Sequence, residues 1–335
     1  VDFLESIHER AKANKKRIIF PECRNPMMLR AATRAEQEGL ADVVILDNRE
    51  ELESIAAQNG IDLGGVEVVN AEDMEYRADL AERYAKLPGK ILGRKYVEKS
   101  MRSPVYMALV MEAVGDGDVT FAGLETTTYE LIMAAQGIIG FSKDVVCPSI
   151  MLIMEIEGFK GDQGNLIGMS DGGINVLPTS GQLAGIAVSC CDSFKALVGK
   201  EPRCAFLSYS TDGSGTGEGV DRVREGVRIA RENRPDLLID GEFQADAAVN
   251  ARIGAKKVKR ESDVAGHANM LIFPDIASCN IASKLIQQFA PSRTYGPVIQ
   301  GFNQPIVDCS RGDTEETIYN NIAVSSVLAS FGKKA

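Results

Sequence analysis

Near the end of the sequence, Ser310-Arg311-Gly312 precedes a helix-forming run that starts at about Thr314. A guanidinium offers a rigid donor fork that grips phosphate or a developing oxyanion. A hydroxyl beside it, and the free N–H groups of a helix start, would complete an anion site. Asp313 and Glu316 have the spacing of a capping box, which sets Ser310 and Arg311 in the loop just ahead of the helix. Three other stretches gather polar groups at predicted strand ends. Ser208-Tyr-Ser210-Thr-Asp-Gly-Ser-Gly-Thr-Gly217 is either a backbone cradle for phosphate or a flexible turn. Asp240-Gly-Glu242-Phe-Gln-Ala-Asp246 offers acid/base carboxylates, or a helix cap at Asp240. In Phe273-Pro-Asp275-Ile-Ala-Ser-Cys-Asn280, the amide of Asn280 lies one helical turn ahead of Lys284, which either meets an anion or is solvated.

Several chemistries are disfavoured. Only two histidines occur, His8 and His267, so a Ser-His-Asp triad or a His-based metal site has little to draw on. Gly168-Met-Ser170-Asp-Gly172 has the letters of a hydrolase elbow, but Gly173-Ile-Asn-Val-Leu-Pro178 after it does not read as the required helix. No HExxH, CxxC or EF-hand pattern appears, so no metal site is expected. A nicotinamide-dependent dehydrogenase would need a GxGxxG turn, which is missing.

Short apolar runs alternate with helical-period segments and supply the elements that must hold these groups. Strands are expected at Arg17–Phe20, Asp42–Leu46, Val66–Val69 and Val119–Ala122. Helices are expected at Phe3–Ala13, Pro26–Gln37 with Asn25 as cap, Arg49–Ala57, and Thr128–Ile139, and over about 75–114 with one break near Pro88-Gly89. This order argues for a parallel sheet covered by helices. After Cys147-Pro148 the pattern changes. Ser149–Ile156 and Asn165–Met169 look like a hairpin, and Gln182–Leu197 a long helix. Strands at 204–208, 237–240 and 270–273 and helices at 220–232, 277–289 and 314–330 follow.

Composition bounds the rest. With 335 residues the chain has room for two domains. Lys and Arg number 37 against 47 Asp and Glu, a net charge of −10. Such a balance without a basic block argues against nucleic acid and anionic membrane as partners, so any anion must be met in a local pocket. No apolar run reaches the roughly 20 residues of a membrane span. The N-terminal stretch lacks a signal-peptide core. Seven scattered cysteines without a CxxC pair suit reduced, buried thiols in a cytoplasm.

The motifs taken together resemble the phosphate acetyl/butyryl transferase family. The matching pieces are Pro21-Glu22, Ser208-Tyr-Ser-Thr211, Asp240-Gly-Glu-x-Gln-x-Asp-Ala-Ala248, Gly266-x-Ala-Asn-x-x-x-Phe-Pro274, Asn280-Ile-Ala-x-Lys284, Tyr295-Gly-Pro297 and Ser310-Arg311-Gly312. They run in the family's order from residue 21 to 312. The resemblance implies an α/β fold of two αβα domains like the isocitrate and isopropylmalate dehydrogenases, with a cleft between them. One domain would hold residues 1–146 and 300–335, the other 147–299. It implies a homodimer, and exchange of coenzyme A and phosphate on an acyl group by direct thiolate attack, with coenzyme A a substrate and no permanently bound cofactor. By motif match Ser310 and Arg311 are catalytic. Thr126, Thr127, Thr128, Ser210, Asn280, Lys284 and Tyr295 bind substrate.

The chain departs from typical members at three points. Their helix Arg is replaced by Ile132 or Met133, and no Lys or Arg occurs from Phe121 to Gly140. Their carboxylate base falls at Thr317, leaving Glu315 or Glu316 as substitutes. Their basic residue near position 87 is Leu87, with Lys86 adjacent. Arg24, Lys284 or Arg311 would then hold phosphate. A longer acyl chain such as butyryl, or a coenzyme A-binding regulatory role, is the alternative outcome.

Overall fold

The computed structural model describes residues 2–90, 92–143 and 145–331. It forms two compact units, one from residues up to Ser142 together with those from Phe302 onward, the other from Lys143 to Gly301.

The first unit opens with α1 (Phe3–Ala13), β1 (Arg17–Phe20), α2 (Pro26–Gln37), β2 (Asp42–Leu46), α3 (Arg49–Asn59) and β3 (Glu67–Val69). It continues with α4 (Met74–Ala85), α5 (Arg94–Ser100), α6 (Pro104–Val114), β4 (Val119–Ala122) and α7 (Thr128–Ile138). The second unit contains β5 (Ser149–Ile156), β6 (Leu166–Ser170), α8 (Ser180–Val198), β7 (Arg203–Leu207), α9 (Glu218–Asn233), β8 (Leu238–Phe243), α10 (Ala245–Val249), α11 (Ala251–Lys257), β9 (Met270–Ile272), α12 (Ile276–Phe289) and β10 (Ser292–Gln300). The chain then returns to the first unit as β11 (Ile306–Asp308) and α13 (Glu315–Phe331).

In the first unit the strands run in the order β3-β2-β1-β4-β11, and every pairing is parallel. β4 is buried at all four positions, as expected of a parallel strand covered on both faces. Local chemistry sets the helix starts: Asn25 Oδ1 accepts from Met27 N–H at 3.0 Å, ahead of Pro26 in the first turn of α2. The last helix closes the unit against the first two. Arg34 of α2 stacks over the Tyr319 ring at 3.7 Å, the Tyr319 hydroxyl donates to Glu38 at 2.6 Å, and His8 of α1 pairs with Asn320 at 3.1 Å.

In the second unit the order is β10-β5-β6-β9-β7-β8. β10, β5 and β6 pair antiparallel, and β6, β9, β7 and β8 pair parallel. A core of Met154, Met169, Leu207, Phe243, Leu271 and Phe273 lies against this sheet.

Four expectations need correction. The stretch over 75–114 breaks twice and gives three helices, because Pro104 restarts the chain as the first residue of α6. Ser292–Gln300, for which no element was expected, is a nine-residue strand, since β5 offers it an antiparallel partner from Ser292↔Ile156 to Gln300↔Ser149 with a register shift between Tyr295 and Val298. Asp240 lies inside β8 and caps nothing. Its buried carboxylate is held by Arg260 at 2.7 Å, Arg231 at 2.7 Å and the Ser262 hydroxyl at 2.5 Å. Asp313 does not cap α13. Its carboxylate accepts from Ser310 N–H at 2.8 Å, while the Thr314 hydroxyl caps through Thr317 N–H at 3.2 Å.

Candidate functional site

The strand order of the first unit reverses at β1. The chain moves outward through β2 to β3, then re-enters on the other side of β1 as β4. In open parallel sheets, ligands collect at the carboxyl ends of the strands beside such a switch point. Here that crevice holds Glu22, two residues past β1. Its Oε2 accepts from the backbone N–H groups of Gly123 (2.9 Å), Leu124 (2.9 Å) and Glu125 (3.2 Å), and its Oε1 from Thr126 (2.9 Å). Convergent backbone N–H groups form an anion-binding concavity. The chain fills this one with its own carboxylate, only 5% exposed.

The three hydroxyls that follow take different roles. Thr126 gives its N–H to Glu22. Thr127 is the cap of α7, in a reciprocal capping box with Glu130, so its hydroxyl serves the helix and is not offered to substrate. Thr128 donates to Asp308 Oδ2 at the end of β11, tying the loop to the strand that leads into Ser310.

Ser310 and Arg311 are both exposed, in a turn closed by Asp313 N–H on Ser310 O at 2.9 Å. Ser310 Oγ accepts from Gly312 N–H at 3.3 Å, which leaves its proton available. Arg311 has no ion-pair partner among the described residues, in a chain where most surface arginines are paired. The other cations considered for phosphate fare differently. Arg24 is engaged by Asp47 at 2.7 Å and Glu51 at 2.5 Å, and Lys86 by Glu82 at 3.3 Å. The suggested bases are also occupied. Glu316 pairs with Arg34 at 2.6 Å and Glu315 with Arg30 at 3.8 Å. On α7, Tyr129 and Met133 are exposed and Ile132 is half-buried.

In the second unit, Asn280 and Lys284 lie one turn apart on α12 and are exposed. Asn280 Nδ2 reaches the Gly172 carbonyl at 3.5 Å, and Lys284 has no ion-pair partner among the described residues. Two other expected substrate ligands are structural. Ser210 is fully buried, and its hydroxyl donates to Glu242 at 2.7 Å. Tyr295 lies in β10 with its hydroxyl on Glu155 Oε2 at 2.8 Å, and burial pushes its pKa up, with Glu155 adding to the rise. Neither side chain is free to meet a ligand.

Glu242 and Arg224 brace the loop after β7. Arg224 Nε and Nη2 bond the two Glu242 oxygens at 3.0 Å each, and Gly213 N–H adds a third donor at 3.1 Å. Burial alone would raise the Glu242 pKa, but Arg224 and Ser210 hold it at about 2. The folded value is depressed, so this stabilisation is complete above the ordinary value near 4.5 and is lost as pH falls through about 2. Glu242→Gln is therefore expected to cost about 2–3 kcal/mol at pH 7, somewhat below the usual loss for breaking a buried pair because Arg224 keeps water access. Urea melts should show the gap to wild type narrowing as pH falls from 4.5 toward 2. A gap that stays constant would show that the charge on Glu242 is irrelevant.

Sequence reasoning passed over two groups at this site. Glu22 stood in a motif without a role, because its four partners lie 101 to 104 residues away. Asp308 stood beside Ser310, but its strand was not foreseen. Asp308 is 4% exposed, and its Oδ1 has no hydrogen-bond partner. Burial, with Glu22 and Asp313 nearby, lifts its pKa to about 7 despite the Thr128 hydroxyl.

Comparison with known proteins gives this geometry a context. The family model "Phosphate acetyl/butaryl transferase" matches residues 2–326. The phosphate acetyltransferase of Clostridium acetobutylicum is 37% identical over 333 residues, covering 99% of this chain and all of the relative. Among solved structures, a phosphotransacetylase from Streptococcus pyogenes superposes with a TM-score of 0.86 at 31% identity, and one from Staphylococcus aureus with 0.86 at 28%. Each comparison covers 98% of both chains. With a match that runs nearly end to end, the chain belongs to the phosphate acetyl/butaryl transferase family.

Proposed function

We propose that this chain is a phosphate acetyltransferase, interconverting acetyl-CoA plus phosphate with acetyl phosphate plus coenzyme A. The observation that carries the reading is the exposed Arg311, without an ion-pair partner among the described residues, beside the exposed Ser310 on the turn that enters α13. The guanidinium fork holds phosphate and the developing charge on the acyl oxygen. The Ser310 hydroxyl hydrogen-bonds at the reacting thiol or carbonyl. Thr126 and Thr128 belong to the loop and helix start after β4 in the same unit, and Asn280 and Lys284 are proposed as further substrate ligands carried by the second unit. Direct attack by the coenzyme A thiolate in a ternary complex needs no histidine relay and no bound cofactor.

Purified protein is expected to release free thiol from acetyl-CoA only when phosphate is present, and to form acetyl-CoA from acetyl phosphate and coenzyme A. Failure of both assays would remove the reading. Exposed Tyr129 and Met133 on α7 favour a second one, in which the acyl chain is longer. A kcat/KM for butyryl-CoA above that for acetyl-CoA would select it.

The protein is further proposed to be a cytoplasmic homodimer of two-domain subunits divided near residues 147 and 300. The compact units change at Ser142/Lys143 and Gly301/Phe302, which supports that division. All seven cysteines are buried and free, which suits a reducing compartment, and no described helix is long and apolar enough to cross a membrane. Ile281, Leu285 and Phe289 form an exposed apolar stripe down α12. Val176, whose carbonyl accepts from Ile276 N–H, adds apolar surface at its start, and this face suits a second copy.

A further inference from the structure

Asp308 is a buried carboxylate with one oxygen that no described residue hydrogen-bonds. It ends β11, two residues ahead of Ser310, and is 4% exposed. One oxygen accepts from the Thr128 hydroxyl, and the other has no partner. The room for that free oxygen comes from Gly123, whose φ is +112° and where a Cβ would lie 2.3 Å from Oδ1. Buried polar atoms are rarely left unsatisfied, and those that are call for an explanation. Thr128, at the first position of α7, is only partly buried, and its hydroxyl donates to the carboxylate.

The neighbouring carboxylates are excluded by their partners. Glu22 is saturated by four N–H groups, Glu315 and Glu316 are paired with Arg30 and Arg34, and Asp313 holds Ser310 N–H. Thr317 shares its hydroxyl with Thr314 at 3.0 Å.

We propose that Asp308, acting through the Thr128 hydroxyl, accepts the proton of the attacking thiol; Asp308 is thus a positioning residue that sets the proton state of Thr128. The inference rests on the acyl-transfer reading above. In the thiolysis direction, the S–H proton passes to Thr128 Oγ as the Thr128 proton moves to Asp308 Oδ2. The sulfur forms its bond to the acyl carbon, and the bond from that carbon to the phosphate oxygen breaks. The leaving phosphate takes up the proton by the same hydroxyl, which restores the carboxylate. The charged groups facing Asp308 are Glu22 from the loop after β1 and Asp313 from the turn before α13; the buried Cys309 thiol is its chain neighbour. β4 contributes no titratable side chain, and Glu130 on α7 turns to Thr127. Glu22 and Asp313 are both negative and favour the protonated form. With a pKa of about 7, the carboxyl is poised to exchange a proton at neutral pH.

The test compares wild type with Asp308→Asn, Thr128→Val and Thr128→Ser, using acetyl phosphate and coenzyme A and recording kcat/KM against pH. Asp308→Asn is expected to lose about 10²-fold in kcat, a typical general-base contribution, and to lack the ionisation expected near neutrality in wild type. The KM for acetyl phosphate should stay within about twofold, because no phosphate contact is removed. Thr128→Val should fall equally, Thr128→Ser should keep most of the rate, and the double variant should be no slower than either single. If Asp308→Asn does not fold, the contrast between Thr128→Val and Thr128→Ser decides alone. An Asp308→Asn enzyme with wild-type rate or an unchanged pH profile, or a Thr128→Val enzyme with wild-type rate, overturns the proposal and leaves the acyl-transfer reading standing. A wild-type protein with no exchange in either direction overturns both.

Discussion

Replacing Arg311 with alanine is expected to slow acyl exchange by about 10²–10³-fold, the usual cost of deleting one donor to a developing oxyanion. The effect should fall on kcat, through the lost grip on charge developing in the transition state, and more heavily on kcat/KM for phosphate, because the fork also holds the bound phosphate. Little else should change. Arg311 is exposed and has no ion-pair partner among the described residues, so its side chain supports no other group. Substitutions of that kind usually shift stability by less than about 0.5 kcal/mol, or roughly 2 °C in Tm for a domain of this size. Arg311→Lys keeps the charge but loses the planar two-point grip, and should recover only part of the rate. Steady-state kinetics with a parallel thermal melt check this. An Arg311→Ala protein that retains half its activity would dismiss the turn as the reacting site.

The second large effect concerns stability. Glu22→Ala removes the acceptor of four backbone N–H groups at once, three of them on a single oxygen. A buried donor left without a partner costs about 1–3 kcal/mol. Water entering the vacated space offsets part of the total, so a net loss of about 3–5 kcal/mol is expected, a large fraction of a typical stability. The melt should fall by about 10 °C or more. Glu22→Gln should fall between, because one amide oxygen still accepts while the NH₂ group faces donors. The emptied concavity should also acquire a ligand. Inorganic phosphate or acetate at tens of millimolar should raise the Tm of Glu22→Ala more than that of wild type, by mass action on the folded state. A Glu22→Ala variant melting within about 2 °C of wild type would mean that the loop does not depend on the clamp.

These two residues mark what the sequence alone can reveal. The placement of Arg311 in an exposed turn ahead of a helix was legible because its signal is local: a cation, a hydroxyl and a helix start lie within seven residues. Most elements were legible for the same reason. β1, β2 and β4 are short apolar runs, and α2 begins at an Asn-Pro pair that caps it. β10 was not legible, because Ser-Arg-Thr-Tyr-Gly-Pro has neither apolar alternation nor a continuous apolar run. Its pairing with β5 is what makes it a strand. The roles of Glu22, Ser210, Tyr295 and Asp308 were hidden by distance along the chain. Their partners are 101 to 104, 32, 140 and 180 residues away, respectively. An exposed residue at a turn can be read from its neighbours, but whether a buried hydroxyl or carboxylate faces a ligand or another side chain depends on the tertiary fold.

The return of the chain to the first unit has a consequence for biosynthesis. The unit that spans Lys143 to Gly301 is contiguous, whereas the other lacks β11 and α13 until residues 306–331 have been made. During translation, β4 would leave the ribosome with one edge open, and α1 and α2 without the helix that covers them. An uncovered parallel edge and an exposed apolar face are the features that recruit chaperones and promote aggregation. The inner segment can fold before residues 306–331 are made, but the unit that carries Arg311 is completed only once they have emerged. Truncations that stop before β11 should therefore accumulate as insoluble protein, because the turn at Ser310 and Arg311 takes shape only when β11 and α13 are present.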